Sequence, residues 1–185
     1  SSKLNNKISV LCVSSGSSSS RVVEAISSSY IDSESLFVIS GQAISSRNAK
    51  KSLRQHGNKS LNITEIIKPI TKYTKKVEKE YDIAYHIEKA LFLSKIGRPG
   101  PIWIDIPINI LGKTINVNKL KRFSPPNYTS EHKFRKLKID INKIYKLLNS
   151  SQKPVLLVGY GIKLSNAEKN LIKLISYLNI PVLTS

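Results

Sequence analysis

Residues 97–107 constrain the fold more than any other stretch of this chain, because they combine a turn, a run of largely apolar residues and a second turn. The segment from Gly97 to Pro101 holds two glycines and two prolines, which end a preceding helix and redirect the chain. Residues 102–106, which follow, lack the alternation of apolar and polar residues that a strand with one face in water would show. They predict a buried strand inside an α/β sheet.

Apolar runs alternate with helical patterns along the rest of the chain, which is typical of parallel βαβ units. Strands are predicted at 8–13, 36–39, 71–77, 102–106, 154–158 and 181–184. Helices are predicted at 21–30, 81–96, 139–148 and 167–178, with a short helical turn at 63–67 and a long polar connection at 43–62. The predicted fold class is therefore α/β, built from parallel-sheet βαβ layers.

The pattern divides the chain into three parts. Residues 1–108 form most of one α/β domain, residues 109–138 lose the regular pattern and form a linker, and residues 139–185 begin a second α/β domain. Two strands and two helices do not bury both faces of a parallel sheet, so we expect the second domain to be incomplete. The chain also contains no methionine. We expect it to be a piece of a longer protein.

The charge of the chain is strongly positive, with 30 Lys and Arg against 12 Asp and Glu and a net charge of +18. Such a charge attracts nucleic acids, anionic membranes or phosphorylated ligands. The lysines are scattered over loops and outer helix faces, with a denser stretch at 113–138, and no aromatic RNA-reading motif accompanies them. We interpret them as a solvated basic face and expect no nucleic-acid partner.

Three further features exclude classes of protein. No apolar run approaches the roughly 20 residues that cross a bilayer, and the first residues lack a signal-peptide core, so we expect a cytoplasmic protein without a membrane partner. The single cysteine, Cys12, lies in an apolar strand pattern, which predicts a buried structural thiol. His56, His86 and His132 have no second ligand at metal spacing, so no metal site is predicted.

Glycines follow three of the predicted strands. Gly16 opens the loop after the first strand, and Gly41 and Gln42 end the second, at the carboxyl edge where open α/β sheets bind ligands. They could border a cofactor or substrate channel, or form tight turns that require glycine. Gly159 and Gly161 lie between a strand and a helix, where a phosphate can approach. Because the motif lacks a third glycine, close strand-to-helix packing is the favoured interpretation.

Motifs along nearly the whole chain resemble the thiamine-diphosphate enzymes of the acetolactate synthase type. They are Ser15-Gly16, Asp32-Ser33, Ser40-Gly41-Gln42, Arg54-Gln55, Lys68 to Tyr73, Arg98 to Pro107, Lys153-Pro154-Val155 and Gly159-Tyr160-Gly161. The resemblance implies that residues 1–108 are part of a pyrimidine-binding domain and that residues 139–185 start a Rossmann-like central domain.

The resemblance also implies a chemistry for the intact protein. Relatives bind thiamine diphosphate with Mg²⁺, decarboxylate a 2-oxo acid and join the product to an acceptor, in active sites between the subunits of a homodimer or homotetramer. Some relatives bind FAD, and the resemblance then makes Gly159, Gly161 and Thr184 candidates for the flavin site. The family's glutamate and magnesium ligands are expected outside this chain, and Asp105 and Glu65 lack their context. No catalytic residue and no metal ligand is therefore assigned, and the chain alone is expected to be inactive.

The sequence departs from the family at three places. Residues 17–20 are all serine where Pro-Gly-small-Thr is usual, which predicts a looser loop. Ser35 replaces a usual proline, and Lys59-Ser60 aligns with a usual Gln-Glu pair. An alternative is therefore a catalytically inactive, cofactor-free binding or assembly module of the same fold. A third hypothesis, a basic nucleic-acid-binding protein, predicts affinity that falls steeply with salt.

Overall fold

The computed structural model describes residues 7–44, 61–126 and 131–185, and of residues 131–139 it describes only the backbone. The chain divides into two compact units, Ser1–Pro125 and Pro126–Ser185.

The first unit is a parallel sheet with helices between its strands. Its strands are β1 (Ser9–Val13), β2 (Leu36–Gln42), β3 (Tyr73–Lys76) and β4 (Ile102–Pro107). Its helices are α1 (Ser17–Ser20), α2 (Val23–Ile31), α3 (Ile63–Ile67), α4 (Ile83–Lys95) and α5 (Ile108–Leu111), with single 3₁₀ turns at Lys68–Ile70, Glu80–Asp82 and Val117–Lys119. The strand order is β1-β2-β4-β3, and every pairing is parallel. The predicted α/β class is confirmed.

Strand β4 is the centre of this unit, as the turn and the continuous run predicted. All six of its residues are buried. On one face of the sheet Ile102, Ile104 and Ile106 pack with Phe37, Val77, Ala90 and Ile110. On the other face Trp103 packs with Val22, Ile26, Val38, Ile63 and Ile67. Helices on both sides thus complete two separate apolar layers around one strand.

The boundaries of two elements differ by three residues or more from those predicted. Strand β2 continues past residue 39 because Gly41 and Gln42 still pair with β4, at Ile106 and Pro107. The helix predicted at 139–148 runs over Glu131–Ser150 and so begins inside the predicted linker. The helical spacing of Phe134, Leu137, Ile141 and Ile144 was hidden among many lysines.

The prediction that Cys12 is a buried thiol is wrong. Cys12 is exposed, and so are its neighbours Val10 and Leu11. The reason is the position of β1, which pairs with β2 on one side and lies at the edge of the sheet that the structure describes. An apolar pattern predicts a strand but does not tell how many neighbours cover it.

The turn at 97–101 is held by two basic side chains. Lys72 Nζ donates hydrogen bonds to the carbonyl oxygens of Ile96 and of Arg98, the latter at 2.8 Å. The Arg98 guanidinium donates to the Ile31 carbonyl oxygen at 2.8 Å and to Ser33 Oγ at 2.5 Å. Carbonyl groups at the ends of α4 and α2, which helices leave without partners, are thereby satisfied.

Part of the dense basic stretch is paired with acidic residues around the start of α4. Lys113 Nζ lies 3.0 Å from Glu80 Oε1, and Lys121 Nζ lies 2.8 Å from Asp82 Oδ1. Arg122 lies 2.6 Å from Glu88, whose other oxygen accepts the Phe123 main-chain N–H at 2.8 Å. These ion pairs therefore join the segment after β4 to helix α4 and to the 3₁₀ turn before it.

Thr74 on β3 tests what a buried hydroxyl without a hydrogen-bond partner costs in stability. Its Oγ1 is buried and has no hydrogen-bond partner among the described residues. Thr74→Val is expected to raise the free energy of unfolding by about 1 kcal/mol in urea denaturation, because it removes an unsatisfied buried hydroxyl. Thr71→Val is the matched control, since Thr71 Oγ1 donates to the Ile67 carbonyl oxygen at 3.0 Å and its loss should destabilise. Equal losses in both variants would contradict this account.

The second unit contains α6 (Glu131–Ser150), β5 (Leu156–Val158), α7 (Gly161–Leu164), α8 (Glu168–Leu178) and β6 (Val182–Thr184). Strands β5 and β6 pair in parallel. Apolar side chains on both its strands and its helices remain exposed, including Leu157, Leu183, Ile172 and Tyr177. Within the described residues, no helix of either unit is long and apolar enough to span a membrane.

Candidate functional site

The candidate site lies at the carboxyl edge of the first sheet, where β2 and β4 end side by side. Parallel pairing places Ser40 beside Asp105 and Gln42 beside Pro107. Polar residues at this edge of an open α/β sheet are the usual place for ligand contacts.

Four side chains form a buried hydrogen-bonded chain here, which we call the Asp105 network: Ser40, Gln42, Trp103 and Asp105. Trp103 Nε1 donates to Ser40 Oγ at 2.7 Å, and the Ser40 hydroxyl donates to Asp105 Oδ1 at 2.5 Å. Gln42 Nε2 donates to Asp105 Oδ2 at 3.0 Å. All four residues are buried, so both oxygens of the carboxyl group are satisfied by protein donors.

The pKa of the Asp105 carboxyl lies above its ordinary value. Burial raises the pKa of the Asp105 carboxyl, while the hydrogen bonds from Ser40 and Gln42 and the positive charge of Lys76 act in the opposite direction. The side chain is only 1% exposed, so a ligand at the surface does not reach it. Its two carboxyl oxygens accept hydrogen bonds from Ser40 and Gln42.

Both the nitrogen and the oxygen of the Gln42 side-chain amide form hydrogen bonds. Besides Asp105, Nε2 donates to the Leu61 carbonyl oxygen at 2.7 Å, and Oε1 accepts the Ala43 main-chain N–H at 2.9 Å. Within the part of the chain that the structure describes, no atom lies within 4 Å of the position that a Cβ on the neighbouring Gly41 would occupy. The structure thus places both predicted site residues at the carboxyl edge, with Gln42 bound to protein groups and Gly41 facing open space.

Gly16 follows β1, the strand beside β2. Its backbone has φ 72° and ψ −135°, and its carbonyl oxygen accepts the Ser19 hydroxyl at 2.6 Å and the Ser19 and Ser20 N–H groups. The serine segment 17–20, for which a looser loop was expected, therefore forms one helical turn, α1. A glycine is required at this point because side chains disfavour that backbone conformation.

Gly16→Ala is expected to lower the free energy of unfolding by about 1–3 kcal/mol, the range for a residue forced into a sparsely populated conformation. Gly41→Ala is the control, since Gly41 has no positive φ and open space around the added methyl group. It should change stability by less than about 0.5 kcal/mol. Thermal or urea denaturation measures both, and a neutral Gly16→Ala would leave the tight-turn interpretation without support.

The three candidates in the second unit lie at the carboxyl ends of its strands. Gly159 follows β5, Gly161 begins α7, and Thr184 pairs with Val158. A Cβ on Gly159 would lie 3.5 Å from Ser185 Oγ, and one on Gly161 would meet no described atom within 4 Å. A Cβ on Gly159 would thus make an ordinary van der Waals contact, and the described neighbours do not require glycine at either position.

Several predicted features fall outside the described residues, namely most of the long connection at 43–62, the Arg54-Gln55 motif, His56 and the Lys59-Ser60 departure. A small apolar cleft of about 170 Å³ lies at the end of β4, between Ile83, Ile106, Ile110 and Leu111. The Glu80–Lys113 ion pair, at 3.0 Å, also belongs to its lining. The cleft offers apolar walls but no second polar group that would orient a ligand.

The described residues do not by themselves fit a complete site for thiamine diphosphate with its metal ion. Among residues 7–44, 61–126 and 131–185, no group of three or more His, Cys, Asp or Glu side chains could hold a metal. Asp105, the one buried acid of this edge, is already fully hydrogen-bonded. What the described edge offers is a wall: Gly41 with open space, supported by the Asp105 network.

Sequence reasoning set Asp105 aside and did not single out Ser40 as a functional side chain. Two signals were available. An aspartate within a buried, otherwise apolar strand needs partners, because a buried polar group without hydrogen bonds is costly. Ser40 and Gln42 also stand two residues apart on one strand and so share a face.

Comparison with known proteins agrees with this architecture. Residues 141–185 match the family model for the central domain of thiamine pyrophosphate enzymes. The acetolactate synthase large subunit of Buchnera aphidicola subsp. Schizaphis graminum is 32% identical over 97% of this chain and 30% of its own length. That of Buchnera aphidicola subsp. Acyrthosiphon pisum is 34% identical over 100% and 31%, and that of Haemophilus influenzae 29% over 97% and 30%.

Two conclusions follow from these similarities. The chain spans about 30% of the length of the curated relatives it matches. The resemblance carried by its motifs extends over nearly the whole of the chain itself. The chain resembles the acetolactate synthase large subunits over nearly its whole length, and its residues 141–185 match the central domain of thiamine pyrophosphate enzymes.

Proposed function

We propose that this chain is part of a thiamine-diphosphate-dependent enzyme that decarboxylates a 2-oxo acid and joins the product to an acceptor, as an acetolactate synthase does. The observation that carries the proposal is collinear similarity. Relatives named acetolactate synthase large subunit match 97–100% of this chain with 30–31% of their own length. On this proposal, residues 1–108 are part of the pyrimidine-binding domain and residues 139–185 start the central domain.

The chain's own contribution would be to shape one wall of the active site. Gly41 leaves open space at the carboxyl edge, and the Asp105 network fixes the residues beside it. The glutamate and the Mg²⁺ ligands would come from other parts of the protein or from a second subunit, which requires a homodimer or homotetramer. FAD is a further candidate cofactor, at Gly159, Gly161 and Thr184.

A catalytically inactive binding or assembly module of the same fold is the second candidate. The observation that favours it is the serine segment 17–20, which stands where the family usually has Pro-Gly-small-Thr. On this alternative the Asp105 network only stabilises the fold, and the folded protein does not bind thiamine diphosphate.

One pair of measurements on the natural polypeptide separates the two candidates. Intact mass in the source cells is expected on the order of 60 kDa, as three domains of ~100–200 residues would give. Thiamine diphosphate with Mg²⁺ at 100 times its dissociation constant is then expected to stabilise the protein by about 2.7 kcal/mol, seen as a rise in melting temperature. Mg²⁺ with inorganic diphosphate is the control. A mass near 20.7 kDa, or no shift at saturating cofactor, would favour the inactive module.

A further inference from the structure

The side chain of Gln42 joins the two ends of the connection between β2 and α3. The chain leaves β2 at Ala43, whose N–H donates to Gln42 Oε1 at 2.9 Å. It returns at Leu61, whose carbonyl oxygen accepts from Gln42 Nε2 at 2.7 Å. One amide group therefore sets the separation of two points that lie far apart along the chain.

The orientation of this amide is determined by its partners. The Leu61 carbonyl oxygen can only accept a hydrogen bond, and the Ala43 N–H can only donate one. A flipped amide would bring Nε2 against the Ala43 donor and Oε1 against the Leu61 acceptor. The second proton of Nε2 points to Asp105 Oδ2 at 3.0 Å. Asp105 is thus the only side chain among the three partners, and it supports the orientation that the two main-chain groups need.

The Asp105 carboxyl is itself held by Ser40 and, through Ser40, by Trp103. Its second oxygen accepts from Ser40 on β2, and Ser40 accepts from Trp103 on β4. Trp103 has no exposed surface and belongs to the apolar layer beneath α2 and α3. The position of the carboxyl group is therefore tied to the packed centre of the sheet, which close packing makes stiff.

We propose that Asp105 is a positioning residue that acts through Gln42, holding Ala43 and Leu61 at the carboxyl edge beside Gly41 and so presenting this wall to a ligand. The identity of that ligand, thiamine diphosphate, rests on the proposed function. Asp105 does not touch the ligand on this account. Its contribution is the fixed geometry of the residues that do.

The test uses four variants of the natural-length protein. Asp105→Val removes both acceptor oxygens at similar volume, and Gln42→Met removes the amide while leaving Asp105 in place. Asp105→Asn is the conservative variant, since its carbonyl oxygen can still accept from Gln42. Thr74→Val is the control, because Thr74 pairs in register with Trp103 in the same sheet and its hydroxyl has no partner among the described residues.

The first measurement is hydrogen exchange at two amides. The Ala43 N–H is protected by the Gln42 side chain, whereas the Val77 N–H donates to the main-chain oxygen of Asp105 at 2.8 Å. Asp105→Val and Gln42→Met are expected to raise the exchange rate of Ala43 relative to Val77 by about tenfold, as the loss of about one hydrogen bond implies. Asp105→Asn should keep this ratio within about threefold of the unaltered protein, and Thr74→Val should not change it.

The second measurement is the midpoint of the melting-temperature rise with thiamine diphosphate and Mg²⁺. Asp105→Val and Gln42→Met are expected to shift this midpoint to about tenfold higher cofactor, and Asp105→Asn to restore most of the affinity. A merely structural Asp105 would accelerate Ala43 and Val77 equally in Asp105→Val, and that result would overturn the proposal. So would an unchanged Ala43 rate in Gln42→Met. If the unaltered protein shows no cofactor shift, the proposed function fails, and the exchange ratio alone decides whether Asp105 positions this edge.

Discussion

Trp103→Ala is expected to lower the free energy of unfolding of the first unit by about 3–5 kcal/mol, the range for truncating a buried aromatic side chain. Trp103 has no exposed surface and is surrounded by Val38, Ile26 and the apolar residues of α3. The change would leave a large cavity in one layer of the core. It would also remove the Nε1 donor of Ser40 at 2.7 Å.

Two further variants separate packing from hydrogen bonding. Trp103→Phe keeps most of the apolar contact and removes the N–H group, so its loss should be smaller than that of Trp103→Ala. Ile66→Ala is the surface control, because Ile66 lies on α3 next to the buried Ile67 and is itself 48% exposed. Urea denaturation measures all three. A Trp103→Ala loss no larger than that of Ile66→Ala would show that β4 is not the packed centre of the unit.

Asp105→Val is expected to destabilise the first unit by about 2–6 kcal/mol at acidic pH. It leaves the Ser40 hydroxyl and the Gln42 amide without their acceptor in a buried place. Each buried donor that loses its partner costs about 1–3 kcal/mol. Urea denaturation across pH, with Thr74→Val as the control, measures the effect.

The pH dependence of this loss follows from the raised pKa of the Asp105 carboxyl, which burial causes. Between its ordinary value of 3.8 in the unfolded chain and the raised value in the folded protein, the folded state binds more protons. The stability that this group contributes is fully present below the ordinary pKa and is lost as pH rises through the raised one. The loss in Asp105→Val should therefore be largest at acidic pH. Above the raised pKa, removing a buried charge offsets part of the lost hydrogen bonding.

Asp105→Asn isolates the titration, because it keeps the shape of the side chain and does not ionise. The difference in stability between the unaltered protein and Asp105→Asn should shift in favour of Asn as pH rises through the same window. A difference that is constant with pH, or that shifts in favour of Asp, would contradict the raised pKa.

The sequence alone predicted the α/β class, the central buried strand and most helices of the first unit. These features depend on neighbours along the chain. Continuous apolar residues predict burial on both faces of β4, and the glycines and prolines of 97–101 predict the turn before it. The loss of the regular pattern after residue 108 predicted the linker. The family resemblance proposed what the two parts are, and nearly the whole chain aligns with acetolactate synthase large subunits.

Only the tertiary structure decided how the carboxyl edge is held and which side chains are covered. Ser40 and Gln42 are separated from Asp105 by more than sixty residues, by 65 and 63 positions, and no local pattern predicts that they share one carboxyl group. Cys12 follows the same rule, because its exposure depends on β1 having a single neighbour in the described sheet. Local sequence determines which strand forms, whereas strand pairing determines what a side chain meets, since hydrogen bonds and burial depend on residues brought together from distant parts of the chain.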